Sequence, residues 1–288
     1  MHLDSAIVFA SLCLQPAPKP EQIKTMGNKI LLVREPSSKL AEGLVSHIED
    51  QRNTVDAALA RKQWNEYQAA FAGWHIEYVA AANDSPDGVF IEDQLLFFAS
   101  LLEDGRGKPV IVQCNPGAPE RRSEVAGASA SIERLSKSHH IAVEAISSPG
   151  TLDGGDILTV EDQKVVYVGQ SARTNQAGRD QLRSILQARE YKVVEVPVTK
   201  ALHLKSAVTA LPDGIVIGFD PLVDDQSLFD ATDGYMSIPE EHGCAVVCLD
   251  AKNLVISSDA PKTKALLEAR GYTVHAVSIS EFEKVEGW

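Results

Sequence analysis

The 288-residue sequence has few cysteines, no long apolar run and a deficit of positive charge, and each shortage excludes a class of protein. Its four cysteines, Cys13, Cys114, Cys244 and Cys248, show no CxxC spacing and no accompanying histidine pattern, so neither a zinc site nor a disulfide framework is indicated. A reducing, cytoplasmic location fits that usage. The apolar run Ala6 to Leu14 is too short to span a bilayer and follows an acidic residue rather than basic ones, which makes it a poor anchor and a weak signal peptide. Lys plus Arg number 27 against 40 Asp plus Glu, a formal charge of −13. Such a balance repels nucleic-acid phosphates and anionic membrane surfaces and favours a small cationic ligand.

What is present is enough apolar sequence, 44%, to bury a large core. Residues 1–27, which include the Pro-rich stretch Pro16 to Pro20, read as a loosely packed extension, and residues 28–288 as one α/β domain. Four times a helical stretch leads into a short β-rich run: Gly73 to Val79, His140 to Ile146, Tyr191 to Val198 and Tyr272 to Ile279. The helices are expected near Val55 to Ala72, Arg121 to Leu135, Gln176 to Arg189 and Pro261 to Arg270. Hairpins are expected from Val89 to Ala99 with Pro109 to Gln113, and from Ile157 to Val160 with Val165 to Val168. Two more are expected from Ser206 to Leu211 with Gly214 to Gly218, and from Cys244 to Leu249 with Asn253 to Ser257. Each unit can bury only one face by itself, so the units read as a closed array in which every module covers its neighbour. Polar turns recur at equivalent positions, Asp84 to Asp87, Gly150 to Asp156, Thr199 to His203 and Ser280 to Gly287, and converge on one central region where a ligand site is expected.

Four segments carry candidate chemistry. Asp87, Glu92 and Asp93 surround Phe90 at a strand entrance, and paired carboxylate acceptors match the parallel N–H donors of a planar guanidinium; a solvated acidic turn has the same composition. Gly150 to Asp156, with Asp153 beside two glycines, permits close backbone approach, but it precedes a hairpin and lacks G-x-G-x-x-G, which argues against nucleotide binding. His203 at the start of a strand suits general acid–base work, although a lone histidine is commonly structural. Arg121 and Arg173 are each suited either to clamp a substrate carboxylate or to form a salt bridge between modules.

Taken in order, DGVFIED, NPGAPERR, TLDGGDIL, VGQSARTN, HLKS and SEFEKVEG resemble the motifs of the dimethylarginine dimethylaminohydrolases, within the superfamily of arginine deiminases and amidinotransferases. The resemblance implies a pseudo-fivefold α/β propeller around a central site, the last module incomplete, with no metal and no cofactor. It implies that Asp93 with Glu92 engages a guanidine, that Asp87 and Phe90 line the pocket, and that Arg121 and Arg173 order the pocket and hold the substrate carboxylate. His203 resembles the catalytic histidine, Asp153 its acidic partner, and the loop Pro36 to Leu44 a mobile flap over the site. The implied reaction is hydrolysis of a non-peptide C–N bond: a cysteine thiolate attacks the guanidine carbon of methylarginine, an amine leaves, and water releases citrulline.

Two departures stand out. Asn115 replaces an arginine usual before this Pro-Gly. The nucleophilic cysteine, followed in the family by a last β-strand, is expected about three residues beyond Trp288, and none of the four cysteines replaces it in an obvious way. Cys244 and Cys248 read as buried thiols of one strand face. The expectation is therefore a guanidine-hydrolase scaffold whose 288 residues are inactive alone and whose open edge recruits a second chain. A non-catalytic arginine- or methylarginine-binding or structural protein, or an arginine deiminase, is the alternative.

Overall fold

The computed structural model describes residues 29–99 and 109–287. The expectations placed on residues 1–27, Cys13 and Trp288 lie outside the described residues.

Five small sheets follow one another along the chain. The first pairs β1 (Ile30–Val33) in parallel with β2 (His75–Tyr78) across helix α1 (Ala57–Ala69). The second joins β3 (Leu95–Phe98) and β4 (Val110–Gln113) antiparallel, then α2 (Arg122–His139) leads to β5 (Ala142–Ala145), parallel to β4. The third repeats this with β6 (Ile157–Val160), β7 (Val165–Gln170), α3 (Gln176–Gln187) and β8 (Lys192–Pro197). The fourth opens on the single turn α4 (Leu204–Ala207), followed by β9 (Val208–Ala210), β10 (Val216–Gly218) and β11 (Tyr235–Ser237). The fifth comprises β12 (Val246–Cys248), β13 (Asn253–Ser257), α5 (Pro261–Ala269) and β14 (Thr273–Val277), with α6 (Ser280–Glu283) after it.

The apolar alternation of each middle strand explains the assembly, because successive side chains leave a strand on opposite faces. In β1, Ile30 and Leu32 join Leu95 and Ile111 in one cluster, while Leu31 and Val33 join Val247 and Val255 in another. In β7, Val166 and Val168 pack with β4 residues, and Val165 and Tyr167 with Val208 and Val216. Ile217 packs with Leu254 and Ile256 of β13. Each cluster thus joins two consecutive units, and one joins the fifth to the first. Burying one such Val, Leu or Ile is worth roughly 1.5–3 kcal/mol, so a single charge in a middle strand would disrupt whichever of its two interfaces that side chain faces.

Three expectations need correcting or completing. The fourth unit has the expected hairpin, β9 with β10, but the segment leading to its third strand, for which no helix was expected, is a 3-10 segment, Gln226–Ala231. Its sequence around Pro221, Asp224 and Asp225 has no helical period, and one buried ring, Phe229, packs on Tyr167 and Tyr235 at ring-centre separations of 5.0 and 5.6 Å where a helix face would lie. The strands expected from Val89 and Ser206 start later, at Leu95 and Val208, because tight helical turns occupy the preceding residues. The incomplete sheet is the first, not the last: among the described residues β1 has a partner on one side only, whereas β12–β13–β14 has three strands. No apolar patch marks that open side, since the large exposed apolar side chains described are Leu59, Tyr78 and Val143, none of them on β1.

Candidate active site

The same point of successive units supplies the polar groups. A 3-10 turn, Ile91–Asp93, comes just before β3; another, Gly154–Asp156, runs into β6; and His203 caps α4 ahead of β9. Backbone closeness here demands glycine: a Cβ on Gly155 would lie 2.7 Å from the His203 ring and 2.8 Å from Asp93 Oδ1.

These turns meet at a small cavity of about 40 Å³ lined by Leu44, Asp87, Phe90, Glu92, Asp93, Arg121, Arg173 and His203, with Val285, Glu286 and Gly287 closing another wall. Asp93 Oδ2 accepts from Arg121 at 2.6 Å and Oδ1 from the Gly155 amide at 2.8 Å. Arg121 also meets Glu124 Oε2 at 3.0 Å and donates to the Asp87 carbonyl at 3.1 Å. Gln94 donates to Glu124 at 2.7 Å and accepts from the fully buried Arg34 at 2.9 Å, so a second tier of polar groups fixes Arg121. The Asp87 carboxylate accepts from the Leu44 amide at 3.2 Å, and Glu92 pairs with Lys205.

His203 lies among three carboxylates: Asp156 Oδ1 is 3.5 Å from Nδ1, and Asp93 Oδ1 and Asp153 Oδ2 are 3.8 and 3.9 Å from Nε2. Burial by itself would lower the imidazole pKa, but Asp93, Asp156 and Asp153 push it up to about 9. Burial would raise Asp93, yet Arg121 and His203 hold it well below the usual carboxylate range. Burial raises Asp153 to about 6, with the Asp93 charge adding to the effect and His203 opposing it. Two buried acceptors, Glu92 Oε2 and Asp153 Oδ2, have no hydrogen-bond partner.

Every expected site residue except Asp153 reaches the cavity surface, and Asp153, fully buried, stands behind His203. Its Oδ1 accepts from the Gly117 amide at 2.7 Å, and Arg173 approaches its Oδ2 at 3.7 Å. Within the loop expected as a flap, Leu40–Glu42 forms a 3-10 turn. Asn115 donates to the Gly150 carbonyl at 2.6 Å, away from the cavity wall. Lys205, Asp156, Glu124, Arg34 and Glu286 were not anticipated. Lys205 and Asp156 sit inside quoted motifs, whereas nothing in the sequence marks Arg34. Among the described residues, the cysteines do not line the cavity. Burial, with Asp153 and Asp93 adding to it, pushes the Cys114 thiol well above its ordinary value. Cys244 lies in a 3-10 turn rather than on the strand with Cys248; it donates to the Ala207 carbonyl at 3.0 Å, and burial pushes its thiol up to about 12. No group of three or more His, Cys, Asp or Glu among the described residues could hold a metal ion, and no described helix is long and apolar enough to cross a membrane.

Among the described residues, five repeated units, four of them with a helix between strands, gather turns bearing carboxylates, arginines and a histidine, and mark a member of the superfamily of arginine deiminases and amidinotransferases. The chain is 46% identical over 264 residues to the N(G),N(G)-dimethylarginine dimethylaminohydrolase of Streptomyces coelicolor, covering 91% of this chain and 95% of that one. It is 30% identical over 262 residues to the protein of that name from Pseudomonas aeruginosa, covering 90% and 96%. The solved structure of the Pseudomonas aeruginosa protein complexed with citrulline superposes with a TM-score of 0.77 at 27% identity, over 90% of this chain and 95% of that one. No family model matches. The chain belongs to the dimethylarginine dimethylaminohydrolase family.

Proposed function

We propose that the chain is a cytoplasmic, metal- and cofactor-independent scaffold for hydrolysing methylated arginine to citrulline and methylamine or dimethylamine. The observation that carries this is the cavity lined by Asp87, Glu92, Asp93 and His203, in which the buried Glu92 Oε2 has no donor. A planar guanidinium brings that donor and a positive charge among the carboxylates. Arg121 is committed to Asp93 and Glu124, which suits it to ordering the pocket; Arg173 is the cation better placed for the substrate carboxylate. Asp87 and Phe90 complete the walls.

In the proposed reaction, a cysteine thiolate attacks the guanidine carbon. His203, an imidazolium at neutral pH, protonates the departing amine as its C–N bond breaks and a thiouronium forms. The neutral imidazole then takes one proton from water as the water oxygen bonds to carbon; the C–S bond breaks, the remaining hydroxyl proton passes to solvent, and citrulline and thiolate separate. The thiol must be supplied from outside residues 29–287, because Cys114 is buried, held protonated by its surroundings and away from the cavity wall. A cysteine placed about three residues beyond Trp288, as in the family pattern the sequence resembles, would fill that role. The strand following it would pair with the free side of β1, fill an apolar cavity of about 50 Å³ bordered by Trp64, Val89, Val247 and Phe282, and complete a closed five-bladed propeller. On this reading residues 29–287 bind the guanidine and supply the histidine but not the nucleophile.

The test measures citrulline release from dimethylarginine by three proteins: residues 1–288, the same chain extended by the family-type ending, and the extension with Ala at its cysteine. Activity in the second alone is expected, since a held nucleophile contributes several powers of ten in rate. Activity of residues 1–288 that survives Cys114→Ala would overturn the account of the nucleophile, and inactivity of all three would favour a binding protein.

A further inference from the structure

Glu286 has a bonding pattern that the proposed reaction does not use. Its Oε1 accepts from the amides of Ser46 at 3.0 Å and Ile48 at 2.9 Å and from that of His47, while Oε2 accepts from Ser46 Oγ at 3.2 Å. Three successive amides turned toward one oxygen form a concave anion site, here filled by a side chain some 240 residues away. Glu286 is 7% exposed and has φ +57°, a left-handed conformation that is unfavourable for a non-glycine residue. A Cβ on the next residue, Gly287, would lie 2.1 Å from a carbon of the Phe90 ring, so a side chain there would displace the ring. The other end of the same segment is held in like manner, with the Leu44 amide on the Asp87 carboxylate at 3.2 Å.

Leu44, Asp87, Phe90, Glu286 and Gly287 all border the cavity that contains Asp93 and His203. At about 40 Å³ the cavity has room for a few waters and not for an amino acid, so a wall must move for ligand to enter. Residues 44–48 form no helix or strand, and four of their amides are satisfied by carboxylates. We infer that Glu286 is a positioning residue, a latch that closes residues 44–48 over the site and sets how fast a bound ligand escapes. The escape rate rests on the guanidine reading; the latch itself does not.

The test compares the intact 288-residue protein with Glu286→Gln, which keeps one weaker acceptor, and with Glu286→Asn, which tolerates the left-handed backbone but is too short for all three amides. Amide hydrogen exchange of Ser46, His47 and Ile48 without ligand should accelerate by on the order of tenfold in both variants, with exchange in the β-strands unchanged. The dissociation rate of dimethylarginine should rise by a similar factor. Unchanged exchange at the three amides would overturn the latch. If neither variant folds, the wild-type amides still decide: protection supports the latch, and exchange at the unfolded-chain rate refutes it. Failure of the wild type to bind dimethylarginine would refute the guanidine reading and leave the exchange result to judge the latch.

Discussion

Replacing Asp93 by asparagine preserves shape while removing one charge and one acceptor. In the native site the two carboxylate oxygens serve two donors, the Gly155 amide at 2.8 Å and Arg121 at 2.6 Å, with His203 Nε2 at 3.8 Å. An asparagine can serve only one of those donors through its oxygen, and its NH₂ then faces the other. Arg121 keeps Glu124 at 3.0 Å and is not orphaned, so destabilisation should fall at the low end for a broken buried pair, about 3 kcal/mol. A guanidinium ligand loses a charged partner in a buried site, which should weaken binding by more than about 1.5 kcal/mol, or roughly tenfold in Kd. Calorimetry with dimethylarginine in chelator-treated buffer measures this for both proteins, and urea titration separates the stability loss. Equal affinity in the two proteins, or a strict metal requirement, would refute the placement of the guanidinium at Asp93.

His203 should make stability pH-dependent: its folded pKa of about 9 exceeds the unfolded value of about 6.5, so its contribution is fully present below about pH 6.5. Roughly 3 kcal/mol should then be lost as pH rises through about 9; urea midpoints across pH 6 to 10 should show a slope that His203→Gln flattens, and an unchanged slope would disprove the charged state assigned to the imidazole. Asp153 acts in the same direction for a different reason: burial raises its carboxyl to about 6, so stability is lost as pH rises from about 4 to about 6, and at pH 7 its charge is a cost. Asp153→Asn, which can still accept from Gly117, should therefore leave the melting temperature at pH 7 level or higher while abolishing turnover in the extended protein; a large loss of stability would show that the charge is better compensated than its surroundings imply. The open side of β1 and the apolar cavity of about 50 Å³ beside it, worth about 1 kcal/mol, should give residues 1–288 a low melting temperature or concentration-dependent association. A sharp, high transition in a protein that sedimentation shows to be monomeric at high concentration would contradict this.

Much of the architecture was legible because it is local. The runs at residues 75–78, 192–197 and 273–277 are strands within the expected stretches, and the helices at 57–69, 122–139, 176–187 and 261–269 carry a 3.6-residue pattern that needs no distant information. The hairpin of the fourth unit was legible too, but the segment leading to β11 was not, since Phe229 stands in for a helix face and a single buried ring leaves no period to detect. Strand starts at Leu95 and Val208 were misjudged because apolar residues before them are buried in turns rather than strands, which composition does not distinguish.

The repeat set Asp87 and His203 in turns expected to converge and carboxylate chemistry marked Glu92 and Asp93, but it was the resemblance to the dimethylarginine dimethylaminohydrolases that put Phe90, Arg121 and Arg173 in the same pocket. Which partner each group takes was decided by the tertiary structure alone. Lys205 reaches Glu92 across 113 residues, Glu286 reaches the Ser46 amide across 240, and Glu124 reinforces Arg121 only because Gln94 and Arg34 lie behind it. The charge states follow from the same distances: desolvation and Coulomb energies depend on what surrounds a group in three dimensions, so a sequence can name an acid, a base and a cation without saying which of them are ionised together.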